Sequence, residues 1–124
     1  MQENEGLEIA EFILPNGILE YFEINKIEQS PTEIHIFLAE KNLPPEEYAH
    51  TKLTSKGFFD EIKVRDFPIR GKHVYLMIKR RRWLDESTGN PVFRDWEMVA
   101  KGTRMTKEFA TFLKGVARYQ TGKL

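Results

Sequence analysis

A run of four cations followed by a tryptophan is the residue pattern in this sequence most suited to binding chemistry. Lys79, Arg80, Arg81 and Arg82 follow the apolar segment HVYLMI without a break, and Trp83 comes next. Side chains alternate along a strand, so two of these cations would project from each face. Because four charges on one strand cannot all be buried, we expect at least two to meet solvent or an anionic partner. Phosphate groups would suit such a ribbon, since lysine and arginine neutralise them directly.

The same run also fits an ordinary solvated hairpin. If Ser87–Asn90 is the loop that follows, the segment PVFRDWEMVA returns as a strand beside it. The facing residues would then be Arg82 and Asp95, Trp83 and Arg94, and Arg81 and Trp96. Cross-strand ion pairs and cation–π contacts of this kind contribute roughly 0.2 to 1 kcal/mol each. Taken alone, the run leaves nucleic-acid binding and plain structural pairing both open.

Patterns for catalysis and metal binding are weak in this sequence. Cysteine is absent and the three histidines have no ligand spacing, so neither thiolate chemistry nor a structural metal is expected. No glycine-rich phosphate loop or nucleophile elbow occurs. Four aspartates could be imagined as a carboxylate cluster, but each lies beside a lysine, an arginine or a turn: Asp60, Asp66, Asp85 and Asp95. We therefore expect neither an enzyme nor a cofactor.

The neutral total charge conceals an acidic and a basic half. Residues 1–50 hold eleven acidic and two basic side chains, a net charge of −9, whereas residues 51–124 hold eight and seventeen, a net charge of +9. Such asymmetry indicates either an anionic partner for the basic half or contact between the halves. With 124 residues, 40% of them hydrophobic, the chain has apolar material for one core, so a single domain over residues 1–124 is expected.

Hydrophobic alternation and turn residues predict strands along most of the chain. Two strands, over Tyr21–Glu28 and the run EIHIFLAE, read as a β-hairpin. A connector punctuated by Pro44-Pro45 follows, with a short helical turn at Glu46–His50, and then a strand over Phe58–Asp66. A tight connection bracketed by Pro68 and Gly71 leads into the strand that precedes the cationic run. That strand is apolar on both faces, which predicts a place inside the sheet.

The clearest predicted helix begins after Thr106, a suitable N-cap. Its apolar stripe has the spacing i, i+3, i+4, i+7 and consists of Phe109, Phe112, Leu113 and Val116. Its other face is cationic and continues from Lys101 and Arg104. The predicted fold is therefore α+β: an antiparallel sheet built from two β-hairpins, a C-terminal amphipathic helix and a possible short N-terminal helix over Leu7–Leu14.

Two longer segments, SKGFFDEIKVRDFPIRGKHVYLMIKRRRW and RDWEMVAKGTRMTKEFATFL, carry a family resemblance. They resemble the N-terminal region of an insertion-sequence transposase family found as short separate reading frames in Bacteroidetes genomes. The most specific parts are KGFF, DFPIRGK, RRRW and KGTRMT. Broader relatives in this pattern have a cysteine-rich zinc ribbon before a helical DNA-binding part and a DDE-type catalytic domain. Because the cysteines are missing here, the resemblance implies a metal-free variant.

The resemblance implies a non-catalytic module that binds double-stranded DNA at transposon ends, with catalysis by a separately encoded or frame-shifted subunit. The sequence ends at Leu124, which we interpret as leaving no room for a catalytic domain of its own. A cytoplasmic protein is expected, since neither an export signal nor a membrane-spanning apolar run is evident. The implied DNA-binding residues are Arg70, Lys72, Lys79, Arg80, Arg81, Arg82 and Trp83, with Arg94, Lys101 and Arg104. We expect alanine at positions 80–82 to weaken DNA binding without unfolding the protein.

An alternative keeps the same family context but assigns a different partner. In it, the acidic half docks the catalytic subunit, and the basic ribbon provides only solubility or self-association as a homo-oligomer. Five glutamates along and beside the first hairpin favour this alternative: Glu20, Glu23, Glu28, Glu33 and Glu40. Sequence alone does not separate the two partners.

Overall fold

The computed structural model describes residues 13–96, 106, 109–111 and 113, and these form the predicted α+β structure. The chain makes two compact units. Residues 22–93 form one, here called the sheet unit, and residues 1–21 with 94–124 form the other, here called the terminal unit. The single domain over residues 1–124 stays a prediction.

A four-stranded sheet makes up most of the sheet unit, with the strand order β1-β2-β5-β4. Its strands are β1 (Phe22–Gln29), β2 (Glu33–Glu40), β4 (Ile62–Ile69) and β5 (Lys72–Lys79). The first hairpin, β1 with β2, is confirmed. The sheet is mixed rather than wholly antiparallel, because β2 and β5 run parallel. A parallel pair needs a long crossover, and the chain between the two strands supplies it.

One face of this sheet is buried, and alternation along the strands explains which residues it carries. Ile36, Leu38, Val74, Leu76 and Ile78 are all 2% exposed or less. The interior position predicted for β5 is confirmed, since it lies between β2 and β4. A β-bulge between Ile24 and Lys26 in β1 accounts for the break in alternation at Ile27.

A second sheet of three strands has the order β3-β6-β7. It contains β3 (Leu53–Phe58), β6 (Arg81–Asp85) and β7 (Pro91–Val92). The sequence prediction missed β3, because its run LTSKGF combines polar residues with a glycine and lacks a clear alternation. A one-turn 3₁₀ helix at Glu46–Tyr48 precedes it, as the predicted helical turn.

Arg80 separates β5 from β6, so the cationic run lies where the chain leaves one sheet for the other. The Phe59 amide donates a hydrogen bond of 2.8 Å to the Arg80 carbonyl at this point. The four cations therefore do not continue one strand into solvent. They form the link between two sheets.

The hairpin after the cationic run exists, but its predicted register is wrong. Trp83 pairs with Val92 and Leu84 with Pro91, so none of the three predicted facing pairs forms. The turn begins at Asp85, before the predicted loop Ser87–Asn90. The Asp85 carboxylate accepts hydrogen bonds from the Ser87 amide, at 2.9 Å, and the Ser87 hydroxyl, at 2.7 Å. These bonds also lower the pKa of Asp85. The returning strand is only two residues long, and Trp96 is already helical.

Apart from the 3₁₀ helix at Glu46–Tyr48, the described helical residues lie in the terminal unit. The helix α1 spans Ile18–Tyr21, directly before β1. Thr106 is confirmed as the N-cap of the last helix, because its side-chain oxygen accepts a hydrogen bond of 3.2 Å from the Phe109 amide. Leu113 is buried, as its place in the apolar stripe predicts. The rest of that stripe beyond Phe109 and Leu113, and most of the predicted N-terminal helix, lie outside the described residues.

Candidate nucleic-acid interface

Arg80 lies inside the protein, beside a buried carboxylate. Arg80 and Glu40 are each 1% exposed. The parallel register, with Ala39 opposite Lys79, places Glu40 next to Arg80. Burial lowers the pKa of the Arg80 guanidinium to about 10, and the Glu40 carboxylate opposes that shift. Arg80 therefore keeps its charge at neutral pH, with an internal counter-ion.

Arg81 is held by the same glutamate through its backbone and its side chain. Its amide donates a hydrogen bond of 2.9 Å to Glu40 Oε1, and its Nε donates one of 3.1 Å to the Glu40 carbonyl. Its Nη1 reaches Ser55 Oγ at 2.6 Å. Arg82 is half-buried, with a weak hydrogen bond of 3.4 Å from its Nε to the Lys56 carbonyl. These contacts fix β6 against β2 and β3.

The other predicted DNA-binding residues near this run include both buried and exposed side chains. Trp83 is 1% exposed, and its indole N–H donates a hydrogen bond of 2.9 Å to Asn42 Oδ1. Arg94 belongs to the terminal unit, where it is 9% exposed and its guanidinium lies 4.7 Å from the Tyr21 ring centroid. Lys79 is exposed. Lys101 and Arg104 lie outside the described residues.

The run 79–83 therefore does not form a surface ribbon. The chain enters the second sheet at this point, so Arg80 and Trp83 point inward and Arg81 is anchored to Glu40. Of the five residues in the run, Lys79 alone is exposed, while Arg81 and Arg82 are half-buried.

An exposed basic ribbon does exist, but β4 and β5 form it. The segment KVRDFPIRGKH, residues 63–73, contains four Lys or Arg residues and a single acid, Asp66. Lys63, Arg65 and Arg70 are exposed and Lys72 is half-buried. We call these four residues, with Phe67 and His73, the β4–β5 ribbon. Two of the nominated residues, Arg70 and Lys72, belong to it.

The turn of this ribbon has a backbone that arginine does not favour. Ile69 pairs with Lys72, so Arg70 and Gly71 form a two-residue loop. Both have positive φ, 49° and 79°, as in a type I′ turn. Asparagine or glycine is the usual first residue there, because a Cβ in the left-handed region costs energy. A non-glycine residue in this costly conformation makes Arg70 a candidate for a functional side chain.

Neighbouring side chains hold the ribbon in place. Arg65 donates a hydrogen bond of 2.7 Å from Nη2 to His73 Nδ1 across the two strands. The Lys72 ammonium donates one of 2.9 Å to Gln29 Oε1. Glu33, in β2, lies near enough to Lys63 and His73 for their charges to act on it. Its pKa is lowered mainly by a hydrogen bond from His35, with smaller contributions from Lys63 and His73.

The ribbon continues into the face of the four-stranded sheet that is opposite the buried face. The rings of His35, Phe37 and Tyr75 share that face and are half-buried. The Lys63 ammonium lies 4.3 Å from the Tyr75 ring centroid, and the Lys26 ammonium lies 4.5 Å from that of Phe37. Cation–π contacts at exposed sites contribute about 0.5 to 1 kcal/mol, so a phosphate could draw these lysines away.

Four residues of this ribbon were not predicted from the sequence: Lys63, Arg65, Phe67 and His73. The tight connection between Pro68 and Gly71 was predicted, and the cations lie on both sides of it. Cations that flank a two-residue turn from both strands were the signal available in the sequence.

Replacing Arg70 with asparagine is expected to stabilise the protein and, if the ribbon binds DNA, to weaken that binding. Asparagine tolerates the left-handed backbone of the turn, so we expect the free energy of unfolding to rise by about 0.5 to 1 kcal/mol. The loss of one cation should weaken DNA binding severalfold. Urea unfolding and fluorescence anisotropy with a labelled duplex measure the two effects. A variant that gains stability and binds DNA as tightly as the wild type would show that Arg70 does not contact DNA.

Within the described ranges, no three histidine, aspartate or glutamate side chains converge as metal ligands. None of the helices in the same part of the chain is long and apolar enough to cross a membrane. No protein-family model, curated protein or solved structure gives a significant match to this chain.

Proposed function

We propose that the chain is a non-catalytic DNA-binding module of a bacterial insertion-sequence transposase, and that it binds transposon-end DNA through the β4–β5 ribbon. The observation that carries the proposal is the cluster of four cations around an exposed turn, with one acid in the same eleven residues. The transposase resemblance supplies the DNA context. Its motif DFPIRGK coincides with the end of this ribbon, at residues 66–72.

A two-stranded β-ribbon has a size and shape that suit binding in a groove of duplex DNA. The major groove admits an α-helix or a two-stranded β-ribbon. In such a docking, Lys63 and Arg65 on β4 and Lys72 on β5 would contact phosphates, which fix position without reading sequence. Arg70, at the turn, would be the side chain that reaches deepest. Guanine edges are the preferred partner of an arginine in this position.

The test is DNA binding by a variant in which two cations of the ribbon become neutral, Arg65→Gln with Arg70→Gln. We expect the affinity for a 20-base-pair duplex to fall at least tenfold. The slope of log affinity against log salt concentration should fall by about 2, because about one counterion is released per phosphate contact. Fluorescence anisotropy at several salt concentrations gives both quantities.

A control variant removes the same charge elsewhere, Lys52→Gln with Lys56→Gln. Both lysines are exposed and lie beside or in β3, away from the β4–β5 turn. We expect this control to keep most of the wild-type affinity. Equal losses in the two variants would mean that net charge alone attracts DNA, and the proposed ribbon would be rejected.

A second candidate function is docking of the catalytic transposase subunit, and the position of β1 favours it. β1 is an edge strand of the four-stranded sheet, and Glu23 and Glu28 on it are exposed. Edge strands offer unpaired backbone groups to another chain. A pull-down with the catalytic subunit tests this, using Glu23→Lys with Glu28→Lys. Capture that is lost in this variant while DNA binding remains would establish the docking function. A cytoplasmic location is part of either proposal.

A further inference from the structure

Phe67 is the most exposed large hydrophobic side chain among the described residues, at 85% exposure. Leu43 and Ile27 follow at 52% and 56%. A single exposed hydrophobic residue is ordinary by itself. Phe67 differs because it belongs to the basic β4–β5 ribbon, with Arg65 two residues before it and Arg70 three residues after it.

The backbone around Phe67 turns its side chain outward and keeps it there. The pairing of β4 with β5 shifts between Asp66 and Ile69, so β4 has one extra residue at this point. Such bulges re-aim a side chain away from the regular alternation. The Phe67 amide donates a hydrogen bond of 2.8 Å to Asp66 Oδ1, and Pro68 restricts the backbone on the other side. The exposed ring therefore loses little backbone freedom when it binds.

We propose that Phe67 inserts between two adjacent base pairs of the DNA that the ribbon binds, and that it opens and kinks the duplex there. This inference rests on the proposed DNA-binding function. Apolar wedges on proteins that bend DNA include phenylalanine, and they partly unstack one base step. The cations on both sides would hold the phosphates that flank this step. The same cations disfavour a hydrophobic protein surface as the ring's partner, because they would lose hydration against it.

The test compares Phe67→Ala with the wild type on two 20-base-pair duplexes. One is fully paired, and the other has two mismatched base pairs at its centre. Unstacking is easier at a mismatch, so the wild type should prefer the mismatched duplex by about tenfold. We expect Phe67→Ala to lose this preference and to bind the paired duplex about tenfold more weakly. Dyes at the two ends of the duplex should report a bend with the wild type and none with Phe67→Ala.

Two further variants make the outcome specific. Phe67→Leu should keep part of the bend, since leucine also forms a wedge. Ile27→Ala, which removes an exposed side chain on β1, should match the wild type in affinity and bend. A Phe67→Ala variant that binds and bends both duplexes like the wild type would overturn the wedge. If the Arg65→Gln with Arg70→Gln variant still loses binding in that case, the DNA-binding function stands.

The alternative binding partner of the Phe67 ring is a protein surface, including that of a second copy of this chain. Sedimentation of the wild type and Phe67→Ala without DNA distinguishes it. An association that disappears in Phe67→Ala, with DNA bending unchanged, would overturn the wedge in favour of a protein contact. If the wild type binds neither duplex at any salt concentration, the wedge and the DNA-binding function fail together.

Discussion

Glu40→Ala is expected to lower the free energy of unfolding by about 3 to 5 kcal/mol. Glu40 is 1% exposed, and its side chain is the counter-ion of the equally buried Arg80. Without the carboxylate, the Arg80 guanidinium would remain charged inside the protein. The Arg81 amide would also lose its acceptor, Glu40 Oε1, at 2.9 Å. Urea unfolding followed by circular dichroism measures the loss.

Two control variants separate charge from packing. Glu40→Gln keeps an oxygen that can accept a hydrogen bond from the Arg81 amide but removes the charge. Its free energy of unfolding should therefore lie between those of the wild type and Glu40→Ala. Combining Glu40→Gln with Arg80→Met removes both charges, and we expect this double variant to be more stable than Glu40→Gln alone. Such recovery is typical when a buried ion pair is replaced by groups without charge. A loss below about 1 kcal/mol for Glu40→Ala would contradict the structural role of the pair.

Trp83→Ala should destabilise the protein by a similar amount, about 3 to 5 kcal/mol, because it removes a large side chain from a closed interior. Trp83 is 1% exposed and lies in the central strand of the three-stranded sheet. We expect the urea midpoint to fall sharply. This variant also bears on function, since Trp83 was nominated from the sequence as a DNA contact.

Comparison with two milder variants shows what Trp83 contributes. Asn42→Ala removes only the acceptor of the indole hydrogen bond and should cost about 1 kcal/mol. Trp83→Phe keeps an aromatic ring and should fall between Asn42→Ala and Trp83→Ala. A folded Trp83→Ala protein with nearly wild-type stability and weakened DNA binding would restore Trp83 as a surface contact.

Local patterns were enough to predict much of the sheet unit. Alternation predicted β1, β2 and β5, and the paired signals Pro68 and Gly71 predicted the turn between β4 and β5. Thr106 as an N-cap is likewise a local signal, and the hydrogen bond to the Phe109 amide confirms it. These features depend on a few neighbouring residues, so the sequence specifies them directly.

Long-range pairing could not be predicted from the same patterns. The parallel contact of β2 with β5 joins segments about 40 residues apart, and nothing local encodes it. This contact brings Glu40 beside Arg80 and turns the cationic run into a link between sheets. From the sequence alone the run RRRW resembles a surface ribbon, because its counter-ion, Glu40, lies about 40 residues away in the chain. Glu40 of the acidic half contacts Arg80 and Arg81 of the basic half, which is an instance of contact between the halves, one of the two alternatives that the charge asymmetry left open.

The alanine substitution of residues 80–82 is consequently a poor test of DNA binding. It would remove the buried Arg80 and the anchored Arg81, so we expect it to destabilise the sheet unit. A loss of DNA binding in that variant would report unfolding. Substitutions at Arg65 and Arg70 avoid this difficulty, because both side chains are exposed.

The most direct measurement is a titration of the ¹⁵N-labelled protein with a 20-base-pair duplex, followed through the assigned backbone amide signals. We expect DNA to contact the β4–β5 ribbon, whereas the run 79–83 links the two sheets. We expect the largest signal changes at residues 63–67 and 69–73, with Arg80 to Trp83 nearly unchanged. Changes concentrated at residues 79–85 with the ribbon unaffected, or no changes at low salt, would contradict the claim.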